Sequence, residues 1–429
     1  MSTKNIFLTI GSGMVFSFII IFASCRNSSQ KNSNWAFYRG SDLNGVSLNT
    51  DLPATWSEKD NIVWKTPIHG KGNSSPVIYG NQVWLTTADS AGKQLYAICT
   101  SFKTGEIIHD VKVFVPDSVI RIHALNSHAT PTPAIEKGYV YVHYGSMGTA
   151  CLETGSGKII WAREDLKCDH VQGAASSPVI YKDLLILHLE GVDIQYIVAL
   201  NKKTGETIWK AIRPQEFYVN QPEIARKAYI TPIVINVDGR DLLISNGSEI
   251  CIAYDPLTGE EIWRILYISD STISMPMFSN GLIIFTTGLL DPIKLMAFRP
   301  EGKGDITNTN LVWQVEKDVP AINSPLVNNG LLYMVHEKGT VTCLETTTGK
   351  LVYTDKLKGD FYSSPICADN KVYFLSKKGL IYVIQEGREF KILAENKLDG
   401  ELMATLAVSG RSLLLRSNSA LYRIENLKE

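Results

Sequence analysis

Three histidines, His123, His128 and His170, stand in two consecutive polar stretches, RIHALNSHATPTP and KCDHVQGAASSP. Imidazole is the commonest metal-binding side chain and a ready general base. None of the three is spaced from another as ligands on a single strand or helix are, so no metal set is assigned to them. Serines lack the G-x-S-x-G context of an activated nucleophile. TTTGKLVY lacks both the earlier glycine and the Ser/Thr after lysine that a phosphate-cradling loop requires. No residue is assigned a catalytic role. Forty-two basic residues against forty-three acidic ones leave no strong field, which argues against nucleic acid as a partner.

These stretches belong to a repeat that positions them. A proline, a few apolar residues, a turn and an alternating strand recur from Ser74, Thr132, Ser176, Thr231, Met275, Ser324 and Ser363, with a degenerate eighth copy from Ala404. The prolines are forty to fifty-seven residues apart, a period of propellers, solenoids or arrays. Short β-branched and aromatic runs separated by Gly, Asn and Asp turns fill each unit. Four strands repeated eight times predict an all-β, eight-bladed β-propeller of antiparallel blades. The last copy lacks a Trp-bearing strand, whereas NIVWKTPI (Asn61 to Ile68) precedes the first proline copy. The N-terminal strand is therefore expected to complete blade 8, with Val63 and Trp64 in its outer strand, so that no sheet edge stays open.

A second motif recurs within the units: a small residue, a Thr/Ser-Gly turn and an aromatic ring. The small residues are Cys99, Cys151, Ala199, Ala253 and Cys343, the glycines Gly105, Gly157, Gly205, Gly259 and Gly349, and the rings His109, Trp161, Trp209, Trp263 and Tyr353. Glycine suits a tight turn at positive φ, and the indole supplies apolar area plus an N–H that needs an acceptor. This is read as docking between blades. Cys99, Cys151 and Cys343 share one repeat position in different blades, too far apart for disulfide geometry, and no obligatory disulfide is expected.

ALNKKTGETIW and AYDPLTGEEIW resemble the repeat of quinoprotein (PQQ) dehydrogenases and of the outer-membrane assembly lipoprotein BamB. WAFYRGSDLNGVS, SHATPTP and GDITNTNLVWQ are similar to stretches of exported PQQ-like propeller proteins of Bacteroidetes and Planctomycetes. The resemblance covers nearly the whole chain after residue 60. It implies the propeller fold and two functions: a binding scaffold without cofactor, or a PQQ- and calcium-dependent oxidoreductase. The adjacent cysteine pair of the quinoprotein enzymes is absent here.

The N-terminus has a lysine, an apolar run and small residues before Cys25, the layout of a lipoprotein signal. Residues 1–24 are expected to be a signal peptide, Cys25 the lipidation site, 25–60 a tether and extension, and 61–429 the propeller. The reading is a monomeric, periplasm-facing, membrane-anchored binding protein, with a protein partner or small ligand at one face. The loops before the prolines place His123, Asn126, His128, His170, Ser176, Tyr229, Asn323 and Tyr362 as a ring at the channel mouth. The irregular blades, first, fifth, seventh and eighth, are expected beside what is bound.

Overall fold

The computed structural model describes residues 34–289 and 292–427. The expected signal peptide over 1–24, Cys25 and the first part of the tether lie outside them. Eight four-stranded antiparallel sheets form the predicted propeller. Blade 3 is representative: Val179–Tyr181 lies innermost, followed outward by Leu184–Glu190, Gln195–Asn201 and Thr207–Ile212. First strands of neighbouring blades touch one another, as strands around an axis must. Two short 3-10 turns, Gln215–Phe217 and Glu223–Ala225, are the only helical elements among the described residues.

Successive side chains of a strand leave opposite faces, and both faces of each middle strand are covered. Val140 and Val142 enter the core between blades 1 and 2, while Tyr141 between them enters the core between blades 2 and 3. Outer strands face solvent on one side and show the half-buried alternation instead, as in Thr207–Ile212.

The docking motif is a cross-blade stack. A Cβ at Gly205 would lie 2.7 Å from the Trp161 ring, and the same closeness holds for Gly259 on Trp209 and Gly349 on Trp313. Each indole N–H also donates to a carbonyl of the next blade: Trp161 to Lys202, Trp209 to Pro256 and Trp313 to Thr346, at 2.9–3.2 Å. His109 performs both tasks in blade 1, packing on Gly157 with its Nε2 3.1 Å from the Thr154 carbonyl. The small residue faces the ring directly across the strand pair, Cys151 opposite Trp161 and Ala199 opposite Trp209. All six described cysteines are buried and free.

The ends of the chain meet as expected. Ile62–Pro67 pairs with Ala420–Ile424 as the outer strand of blade 8, and Trp64 stacks on Gly105 of blade 1 while donating to Phe102 O at 2.9 Å.

Two of the irregular blades, the fifth and the seventh, are patched by the chain itself. Blade 5 has no docking glycine turn. Its long connection instead lays Gly304–Asp305 parallel to Trp263 and Arg264 of blade 4, and Ile306 packs into the same core. Blade 7 carries Ala394 where other blades carry the ring, opposite Val383. Trp56 from the N-terminal segment fills this seam, stacked on Tyr373 with its amide held by Asn396.

Two glycines at positive φ, one against a tryptophan ring and one in open space, provide a test. Gly205→Ala adds positive-φ strain (φ 76°) to a clash with Trp161, and we expect a loss of about 2–5 kcal/mol. Gly304 also has positive φ (69°), but nothing lies within 4 Å of a Cβ there, so Gly304→Ala should lose only about 1–2 kcal/mol. Denaturant unfolding of the two variants side by side measures the difference.

Candidate functional site

Proline immediately before seven of the eight inner strands has no N–H and holds the residue before it extended. That preceding residue is Ser75, Thr132, Ser177, Thr231, Met275, Ser324 and Ser364 in blades 1 to 7, and Thr405 takes the place in blade 8, where Leu406 replaces the proline. Its amide donates to the hydroxyl of the equivalent residue in the next blade at 2.9–3.2 Å. The chain of bonds runs 75 to 132, 132 to 177, 177 to 231, 275 to 324, 324 to 364, 364 to 405, and 405 back to 75. Seven of eight seams are thereby joined, which leaves one break. Met275 of blade 5 offers no hydroxyl to the Thr231 amide. This is also the seam that the Gly304–Asp305 strand crosses.

Three residues further along the inner strands, the N-terminal segment closes the channel. Trp35 pairs with Ile78 through both backbone groups, Ala36 O accepts from Ile135, and Gly45 O accepts from Cys367. The segment thus reaches from blades 1 and 2 across to blade 7. Between these points Tyr38 rises to the ring, its hydroxyl 2.9 Å from Ser364 Oγ.

Above Tyr38 opens a funnel of about 250 Å³. The ring residues form its lower wall, and Asn73, His123, Asn126, Gln172, Tyr229 and Tyr362 stand above them. No Asp, Glu, Lys, Arg or Cys lines it. Tyr229 donates to Gln172 Oε1 at 3.0 Å, and burial raises its phenol pKa above the usual value. Asn126 is committed to the wall, with Nδ2 on Gln172 O and Oδ1 accepting from Ser127 and Thr130.

Of the eight residues predicted for the mouth, His123, Asn126, Tyr229 and Tyr362 line this funnel, and the other four do not. His128 lies behind the wall under Gly92, with Nε2 3.0 Å from Ile120 O. His170 is buried beside Cys168, Nε2 3.1 Å from Sγ, and burial lowers its pKa to about 4. Ser176 is buried with no partner for Oγ, and Asn323 is buried with Nδ2 on Val335 O. The three histidines therefore do not converge, and no His, Cys, Asp and Glu cluster among the described residues is arranged to hold a metal. Sequence reasoning missed Tyr38, Gln172 and the ring itself. The ring had a readable signal, since Ser or Thr precedes the proline in six of the seven proline copies.

Behind the wall, between blades 3 and 4, Glu190 and Arg213 form a fully buried ion pair. Arg213 also donates to Ser245 O at 3.0 Å, and His188 Nδ1 lies 2.9 Å from Ser245 Oγ. The cluster anchors the start of the loop that leads into Tyr229.

The sequence profile described as "Outer membrane protein assembly factor BamB" matches residues 46–192, 193–291 and 302–421. The chain belongs to this family. A Yersinia pestis outer membrane protein assembly factor BamB is 20% identical over 327 residues, 71% of this chain and 77% of that protein. Subunit 1 of the Methylobacterium organophilum methanol dehydrogenase [cytochrome c] is 29% identical over 172 residues, 36% of this chain and only 26% of that protein. Among solved structures, a europium-containing methanol dehydrogenase superposes with a TM-score of 0.67 at 11% identity, covering 91% of both chains.

The alternative cofactor is PQQ with calcium, and this BamB-family funnel does not fit it. Calcium takes six to eight oxygen ligands in which carboxylates figure strongly, and a polycarboxylate quinone calls for cationic partners. Neither kind of group lines the funnel.

Two measurements probe the buried polar layer. Ser177→Ala leaves the Thr132 amide without its acceptor and should cost about 1–3 kcal/mol, while Ser177→Thr keeps the hydroxyl and most of the stability. The buried histidines set a pH dependence. Burial lowers His143 to about 3 and His170 to about 4, and His188 is lowered as well. An unfolded chain protonates them near pH ~6.5, so below that pH the unfolded state binds more protons and stability falls as pH falls. Each histidine removes about 2 kcal/mol between pH ~7 and ~5, and His143→Gln should shrink the difference by that share in unfolding measured at both values.

Proposed function

We propose that this protein is a non-catalytic binding scaffold outside the cytoplasm, receiving a protein partner or a small ligand at the ring-side mouth of the propeller. One observation carries the reading. The funnel has a built floor and a defined wall, yet no acid–base pair, nucleophile or cation lines it. Its one imidazole, His123, accepts the Leu125 amide at Nδ1 and has no carboxylate in the lining to orient it, so such a wall can hold and orient a guest but assembles no base–nucleophile pair. Membership of the BamB family supports both the scaffold role and the extracytoplasmic location. We further propose that residues 1–24 are a signal peptide, that Cys25 carries the lipid anchor facing the periplasm, and that the protein acts as a monomer.

A photo-crosslinking side chain tests the face. Placed at Tyr362, it should capture a partner in intact cells, whereas at Lys137, in a turn at the far end of an inner strand, it should not. Equal capture at both positions would sink the assignment. Saturable binding of PQQ with calcium, or dye-linked alcohol oxidation on their addition, would favour the oxidoreductase instead.

A further inference from the structure

The funnel has a chemical polarity beyond its lack of charge. Six ring hydroxyls line it: Ser75, Thr132, Ser177, Thr231, Ser324 and Thr405. Each oxygen already accepts an amide from the preceding blade, Ser324 from Met275 among them. None of the six O–H groups has a protein acceptor among the described residues. The floor is therefore a circle of free hydrogen-bond donors, each on an oxygen that already accepts one amide and keeps a single further lone pair. Gln172 adds to it, since its Oε1 serves Tyr229 and its Nε2 has no acceptor among the described residues.

The upper wall is unevenly polar. The loops before blades 1 to 4 contribute Asn73, His123, Asn126, Gln172 and Tyr229 with Leu125 and Ala175 among them, whereas from blade 5 onward Ile273, Leu289, Ile322 and Met403 leave Tyr362 as the one polar side chain above the ring. The guest must present acceptor oxygens to the floor, polar groups to one side and a C–H surface to the other. An apolar guest would leave the donors unsatisfied and cut off from water, which disfavours it. An ionic guest would lose its hydration with no opposite charge to meet it.

We propose that the funnel binds a neutral pyranose sugar, with its hydroxyl and ring oxygens on the ring hydroxyls and one C–H face on Met275, Ile322 and Met403. A volume of about 250 Å³ accommodates one such ring with water. This rests on the reading of the ring-side mouth as a binding face, and it specifies the guest.

The test titrates the whole protein with glucose, galactose, N-acetylglucosamine and maltose, with glucuronate and glucosamine as charged counterparts, by calorimetry and ligand-observed NMR. Saturable binding of at least one neutral sugar is expected by about 20 mM, and its charged counterpart should bind at least about tenfold more weakly. Leu289, 44% exposed at the rim, permits a charge without loss of core packing, so Leu289→Glu should weaken binding about tenfold with an unchanged melting temperature. Thr405→Val should weaken it similarly and Thr405→Ser should restore it. Absence of saturation with every neutral sugar, equal binding of the charged ones, or indifference to Leu289→Glu would each overturn the proposal. If sugars fail while crosslinking at Tyr362 still captures a protein, the sugar assignment falls and the scaffold reading stands.

Discussion

An indole laid on a glycine of the neighbouring blade, with its N–H on a carbonyl of that blade, is the contact that the ring depends on. Middle strands bury side chains on both faces, so no blade has a core of its own, and each acquires one only from its neighbours. The seam must be thick enough to exclude water yet thin enough for eight wedges to close. A large flat ring against a residue without a side chain meets both demands, and the small residue across the strand pair gives the ring its space. Where the pair is missing, other segments of the chain fill the seam: the blade 5 connection covers Trp263, and Trp56 occupies the seam beside Ala394.

Closure at the axis has a different chemistry, and that chemistry becomes the wall of the funnel. Proline stands immediately before seven of the eight inner strands, so the last free amide of those blades belongs to the residue before it. The next blade offers a hydroxyl to that amide, and the circle of bonds is made of neutral groups. A carboxylate could accept the same amides, but eight of them around one axis would repel one another strongly. The uncharged, donor-rich character of the floor thus follows from how the propeller is closed.

The eight copies, the docking motif and the closing strand were legible because each is a local signal repeated at a fixed offset. Strand register was harder. Side chains alternate faces at every residue, so an error of one position moves a residue from the channel into a seam. Ser176 and Asn323 were placed at the mouth, but they stand two before the proline and point away, whereas Ser177 and Ser324 line the funnel. His123 lies in a loop beyond the register and stands out by composition alone, whereas Tyr362, three residues before its proline, follows from the repeat. Tyr38 could not be placed by any repeat. It lies in a segment expected to be a tether, and its partner Ser364 is 326 residues away in sequence.

The charges that the wall lacks lie one layer behind it, and most of them are arginines bound to carbonyls across seams. Arg416 of blade 8 donates to Ser74 and Thr86 of blade 1, and Arg213 reaches Ser245 of blade 4. Guanidinium is suited to this because its planar donors satisfy several oxygens at once and it is more weakly hydrated than an ammonium. Arg213 is balanced by Glu190, but Arg39 and Arg416 have no carboxylate partner among the described residues. Burial lowers them to about 10 and about 9, so both remain protonated at neutral pH. Arg39 follows the floor residue Tyr38 in the chain, and Arg416 is bound to the neighbour of Ser75. Both guanidiniums donate to carbonyls behind the wall, Arg39 to Pro365 O and Arg416 to Ser74 O and Thr86 O, and neither reaches the funnel lining, which stays neutral.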